Sequence, residues 1–107
     1  MSDLDFTICC SVTFFSKKRS TPPNLNNGKY CPHFVVKGSE LLLGVNFIDG
    51  EDGIFDKPIH ANALPVNEDI DYSALQVGTE FLIMDSGNIV GEGVVKEIFQ
   101  HKLHGEN

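Results

Sequence analysis

Phe81-Leu82-Ile83-Met84-Asp85-Ser86-Gly87-Asn88-Ile89-Val90-Gly91-Glu92-Gly93-Val94-Val95 is the stretch on which the fold turns. Two apolar runs flank the polar interruption 85–88, where Gly87 and Asn88 offer the positive φ that a tight hairpin needs. The runs over 80–84 and 89–99 therefore read as two antiparallel strands. Gly91 and Gly93 sit inside the second of them. A glycine within a strand costs stability unless a bulge or a close backbone approach uses it, so a pair at alternate positions points to a barrel corner.

Working outward, Phe6, Ile8, Cys10, Val12 and Phe14 occupy alternate positions, which predicts a half-buried strand over 6–15. Strand-like composition returns over 30–36, 40–48 and 57–66, with Pro58 and Pro65 placed at the ends of the last. Residues 16–28 collect Lys17, Lys18, Arg19, Pro22, Pro23, Asn24, Asn26, Asn27 and Gly28, a long exposed loop that sustains neither helix nor ladder. Residues 37–39 and the acidic 49–53 read as turns, and the tail 100–107 as a polar, frayed end. The segment 67–78 is acidic and turn-rich, with Tyr72, Leu75 and Val77 as anchors onto the core and room for one helical turn. Six short strands without an amphipathic helix argue for an all-β domain, and closure into a barrel is one way such chains remove exposed edges. Neither an internal repeat nor a second domain is visible, so 1–107 reads as one domain with its core over about 6–99.

At 107 residues, 41% apolar and 21% charged, the chain can bury a core without staples. Eight Lys and Arg against fifteen Asp and Glu leave a formal charge of −7. Nucleic-acid binding draws on cations that displace counterions from phosphates, so this balance disfavours tRNA and other nucleic acids and suits a basic protein surface. Cys9, Cys10 and Cys31 are an odd set with two members adjacent, which implies reduced, structural thiols and a cytoplasmic setting rather than a disulfide framework. The first residues carry acid where a secretory leader needs base, and no apolar run has the ~18–20 residues of a membrane helix, so neither export nor a membrane role is expected.

The hairpin resembles the end of the third, C-terminal barrel domain of translation elongation factor Tu, whose pattern is F-x-I-R-E-G-G-R-T-V-G-x-G-V-V. Phe81, Ile83, Gly87, Val90, Gly91, Gly93, Val94 and Val95 match it without a gap, with Asp85 a near match. Near the other end, Tyr30, Pro32 and Phe34 follow the family's G-Y-R-P-x-F element after a loop containing Arg19-Ser20-Thr21-Pro22. The resemblance spans roughly 6–99, with a centre that is only generically similar. It implies a closed, six-stranded antiparallel β-barrel standing alone. In that family the barrel helps bind the T-arm of aminoacyl-tRNA and the nucleotide-exchange factor, and the final hairpin tip faces the tRNA. By position Asp85 and Ser86 fall at that tip, but Met84 and Asn88 stand where the family has flanking arginines. The chain has no G-x-x-x-x-G-K-[ST] loop, so GTP binding and hydrolysis are excluded.

The candidate binding residues are thus Lys17, Lys18 and Arg19 in the basic loop, with Asp85, Ser86 and Asn88 at the tip; a solvated loop is the alternative for the first group. Cys31 with His33, and His101 with His104, have the residue types for metal but no recognised zinc pattern. Calcium ligation from Asp49 fails because Gly53 and His60 would fall at ligand positions. A Cys31 nucleophile lacks a surrounding motif, and the acids of 49–56 and 68–71 cannot be paired into a general acid and base from sequence. No catalytic residues, metal or cofactor are expected. The functional expectation is a non-enzymatic protein-binding module, with an immunity or antitoxin protein against a basic toxin as one specific form. The alternative is a translation accessory factor that contacts tRNA or the ribosome.

Overall fold

In the computed structural model, residues 6–18 and 20–101 are described. Six strands form a closed antiparallel barrel: β1 (Phe6–Phe14), β2 (His33–Val36), β3 (Leu43–Gly50), β4 (Ile59–Pro65), β5 (Glu80–Asp85) and β6 (Asn88–Gln100). Around the barrel the order is β1-β4-β3-β2-β5-β6, closed by the long β6–β1 pairing from Phe6↔Gln100 to Phe14↔Gly91. The six-stranded antiparallel barrel is therefore the fold.

The alternation in β1 is used as the sequence implies: Ile8, Cys10, Val12 and Phe14 are buried, while Thr7, Cys9, Ser11 and Thr13 face outward. Phe34, Phe47 and Phe81 join Phe14 in the interior, with Phe34 stacked on Phe81 at a centroid distance of 4.0 Å. Among the described residues none that is polar or charged is fully buried, so the barrel is filled by side chains and holds no lumen.

Gly91 and Gly93 answer the steric problem that closure creates. An added Cβ at Gly93 would lie 2.7 Å from Phe81 Cζ and 2.7 Å from the Ser11 carbonyl oxygen. At Gly91 it would lie 2.5 Å from the Thr13 carbonyl oxygen. β6 thus lies against β1 and the Phe81 ring more closely than any side chain permits. Register shifts at Cys9/Cys10, Phe47/Asp49 and Ile83/Met84 leave Lys96, Ile48 and Val90 as extra residues, the bulges that bend strands around a small barrel.

Several boundaries differ from expectation. The second strand starts at His33 rather than at residue 30, because Pro32 has no N–H to complete the ladder. Tyr30 and Pro32 still run beside β3, accepting bonds from the Phe47 and Val45 amides. β3 starts at Leu43 rather than at residue 40 and continues through Asp49 and Gly50, which pair with Asn62 and Ala61, so the acidic turn begins only at Glu51. The hairpin tip is the two-residue turn Ser86-Gly87, with φ of 54° and 83°; Asn88 is not a turn residue but pairs with Asp85 to close the ladder. Gln100 belongs to β6 rather than to the tail.

The 16–28 loop is neither wholly exposed nor without helix. Ser16–Lys18 makes one 3-10 turn, η1, and Pro23 and Leu25 are buried. Leu25, only 2% exposed, plugs that end of the barrel at Gly50. Asn26 acts there as a substitute strand residue, its side chain donating to the Gly50 carbonyl at 2.9 Å and accepting from the Gly50 amide at 3.1 Å. In the 66–79 loop Tyr72 and Leu75 are buried anchors, but Val77 is 66% exposed.

Candidate functional site

Antiparallel order sorts the loops onto two ends. At one end lie 15–32, 51–58 and the 86–87 turn; at the other lie 37–42, 66–79, the start of β1 and the finish of β6.

The first end brings the two sequence-predicted patches together. The Phe15 amide donates to the Val90 carbonyl at 2.9 Å, and η1 packs against β6, so Lys17 stands beside the strand that begins at Asn88. The Ser16 amide donates to Asp56 Oδ1 at 3.2 Å, which ties η1 to the 51–58 loop. Lys17 is exposed; for Lys18 only the backbone is described, and Arg19 lies outside the described residues. At the tip, Ser86 Oγ donates to Asp85 Oδ1 at 3.2 Å, and Asn88 Nδ2 reaches the Ser86 carbonyl at 3.5 Å. The 15–32 loop has four cations, Lys17, Lys18, Arg19 and Lys29, and no acid.

The second end has a depression that residue patterns did not single out. A groove of about 600 Å³ is lined by Phe6, Tyr72, Leu75, Ile70 and Ile98, with Glu68, Asp69 and Asp71 around it. Its apolar floor arises where β1 and β6 meet, since Ile8 pairs with Ile98 and Phe6 with Gln100. The wall is the 66–79 loop, fixed by Tyr72: its ring packs edge-on to Phe6 at 6.3 Å, and its hydroxyl donates to the Gly44 carbonyl and accepts from the Asn67 amide. Asn67 and Asp71 each fold the chain by accepting the amide two residues on, at Asp69 and Ser73. The Ser73 amide and hydroxyl hold the Asp71 carboxyl below its ordinary pKa, so it stays charged. The 66–79 loop contains no Lys, Arg or His. Lys37, in the neighbouring turn, is taken by Glu80 at 3.1 Å and Glu92 at 3.5 Å. The sequence trace of this site is the alternation of Asp69, Ile70, Asp71 and Tyr72, in which every second side chain turns inward.

The cysteines are free thiols. Cys10 is buried and its thiol is pushed up to about 12, by burial first and by Cys9 second. Cys9 lies outside the barrel and donates to Asn62 Oδ1 at 2.7 Å; burial, then Glu97 and Asp49, raise its pKa as well. Both therefore stay protonated at neutral pH. Asn62 in turn donates to Asp49 Oδ1 at 2.6 Å, and the His60 amide donates to Glu51 Oε1 at 2.8 Å, so these acids serve local structure. Cys31 is exposed, and the backbone bonds at Tyr30 and Pro32 set it level with Asn46 of β3. His101 Nε2 lies 2.6 Å from Thr7 Oγ1, while His104 lies outside the described residues. Among the described residues no three His, Cys, Asp or Glu side chains gather as a metal-holding group, and no helix is long and apolar enough to cross a membrane.

No family model matches this chain, and no curated protein matches it. The likeness to the elongation-factor barrel rests on the residues matched at the two ends of the sequence.

Proposed function

We propose that the chain is a non-enzymatic protein-binding module, built on a barrel of the elongation factor Tu third-domain kind. The observation that carries this reading is the solid interior: with no polar residue fully buried among those described, recognition falls to the outer surface and the loop ends. Two protonated thiols, Cys9 and Cys10, support a binding role over nucleophilic chemistry. The net charge of −7 supports a basic protein as the partner, and a small acidic immunity or antitoxin protein that neutralises a basic toxin is one form of that role. The test is affinity capture from the native cell followed by reconstitution from purified components. A stoichiometric complex with one protein is expected; a chain that remains a free monomer with every captured candidate would overturn the reading.

One observation favours a second reading, a translation accessory factor. η1 and the 85–88 tip lie at the same end of the barrel, so Lys17 and the backbone of Lys18 adjoin the position that faces tRNA in the family, and Arg19 follows them in sequence. Salt-dependent tRNA binding, lost when the three cations are replaced by Ala, is its expected outcome. Absence of binding at low ionic strength would exclude it.

A further inference from the structure

Among the described residues, the groove at the 66–79 end sets an apolar floor beside carboxylates that make no ion pair. Phe6, Ile70 and Ile98 are partly buried, leaving some of their surface open above Tyr72 and Leu75. Above that floor stand Glu68, Asp69 and Asp71. Among the described residues none of the three makes an ion pair, and the nearby Lys37 is engaged by Glu80 and Glu92. Asp71 stays ionised because its carboxylate accepts from Ser73. Apolar surface and negative charge side by side select a ligand with the opposite pairing: an aliphatic stem that carries a cation at its tip. Lysine and arginine side chains have that form, and flanking apolar residues would extend the contact along the floor.

We propose that this groove is the docking site for an extended, basic segment of a partner protein, which inserts a Lys or Arg whose methylenes lie on Phe6 and Ile98 and whose cation meets Asp69 and Glu68. The proposal rests on the protein-binding reading above and names the partner's chemistry. A second copy of the chain is a poor occupant, because each carries a formal charge of −7. The groove's volume of about 600 Å³ accommodates one long side chain and its neighbours rather than a whole domain.

The test uses the full chain and a fluorescein-labelled twelve-residue peptide alternating Lys and Leu, followed by anisotropy, with amide shift mapping on the labelled protein. Saturable binding is expected, with shifts concentrated on residues 68–75 and 98–100. Glu68→Gln with Asp69→Asn should weaken it at least tenfold. Glu51→Gln with Asp52→Asn removes the same charge at the opposite end, with the side-chain oxygen at position 51 still able to accept from the His60 amide, and should change affinity less than twofold. Equal losses from the two pairs would mean non-specific attraction and overturn the proposal, as would shifts confined to 15–32. Tight binding of the Glu-Leu counterpart peptide, or spermidine competing as well as the unlabelled peptide, would also overturn it. So would a tenfold gain on removing residues 102–107, which would make the chain's own Lys102 segment the occupant. If the peptide fails while the reconstituted complex forms, the partner docks elsewhere and only this proposal falls; if neither forms, both readings fall.

Discussion

Gly93→Ala is the sharpest test of why the closing hairpin has its sequence. The new methyl would sit 2.7 Å from Phe81 Cζ, 2.9 Å from Phe81 Cε1 and 2.7 Å from the Ser11 carbonyl oxygen. Carbon atoms in contact prefer about 3.5–4.0 Å, so the ring must withdraw by roughly 1 Å. It has nowhere to go, because Phe81 is fully buried and stacked on Phe34 at 4.0 Å. Overpacking of this kind costs about 1–3 kcal/mol, against a gain of about 0.5–1 kcal/mol from removing glycine's excess backbone freedom. A net loss of about 1–2 kcal/mol is expected, which for a domain of this size lowers Tm by roughly 5–15 °C. Phe81→Leu removes the two clashing ring atoms but leaves the Ser11 contact, so Gly93→Ala should cost less by about 1 kcal/mol in the Phe81→Leu background. Gly91→Ala is the control: its closest neighbours are the Thr13 carbonyl oxygen and Phe14, so Phe81→Leu should not rescue it. Urea denaturation of the three single and two double variants, followed by far-ultraviolet circular dichroism, measures the coupling. Additivity of Gly93→Ala and Phe81→Leu within about 0.3 kcal/mol would refute the steric account.

Tyr72→Phe should destabilise the protein by about 1–3 kcal/mol, since it strips the Gly44 carbonyl and the Asn67 amide of one shared partner; a urea midpoint equal to that of the parent would show that water replaces the hydroxyl without cost. Because Asp71 has a depressed pKa in the folded state, its contribution to stability is present above the ordinary aspartate value and is lost as pH falls through the lower folded value. The Ser73 amide resonance should accordingly titrate with a midpoint below about 3.9, and a midpoint at or above that value would contradict the cap. Glu97→Gln lifts one of the charges that raise the Cys9 pKa, so alkylation of Cys9 by iodoacetamide at pH 8 should accelerate, while Cys10 stays unlabelled until the protein unfolds. An unchanged Cys9 rate would assign the shift to burial and Asp49.

The parts of this fold written in local pattern were legible. Period-two alternation in β1 and the apolar runs around Ser86-Gly87 name strands because each side chain's face follows from its parity. What escaped depends on contacts between distant segments. Leu25 lies among asparagines and prolines, and only the open end of a barrel makes it a plug. Asp49 and Gly50 look like a turn until Asn62 and Ala61 of β4 are set opposite them. Val77 has the composition of an anchor, yet the bonds of Gly78 and Thr79 to Val95 and Gln76 settle the loop with that side chain outside. The candidate groove is harder still to read, because Phe6, Ile70 and Ile98 come from three separate segments and form one floor only after β6 has paired with β1. Its acids were visible in the sequence; their apolar floor was not.

The closing hairpin divides these roles along its length. Its inward face, with Phe81, Ile83, Gly91 and Gly93, sets how tightly the barrel shuts, so any chain using this closure is driven toward these residues whatever it binds. Its tip is under no such constraint: Ser86-Gly87 needs only two residues that accept positive φ, and Met84 and Asn88 are free of core packing. A sequence match along the inward face is therefore evidence about architecture, while function must be judged at the ends. There the protein sets a cation-rich 15–32 loop, accompanied by the acidic 51–58 loop, against a 66–79 loop with acids alone. The acidic loop is held by Tyr72, Leu75 and two side-chain-capped turns, none of which uses the carboxylate of Glu68 or Asp69. Those two carboxylates are thus uncoupled from the fold, and their replacement should alter binding while leaving the urea midpoint where it was.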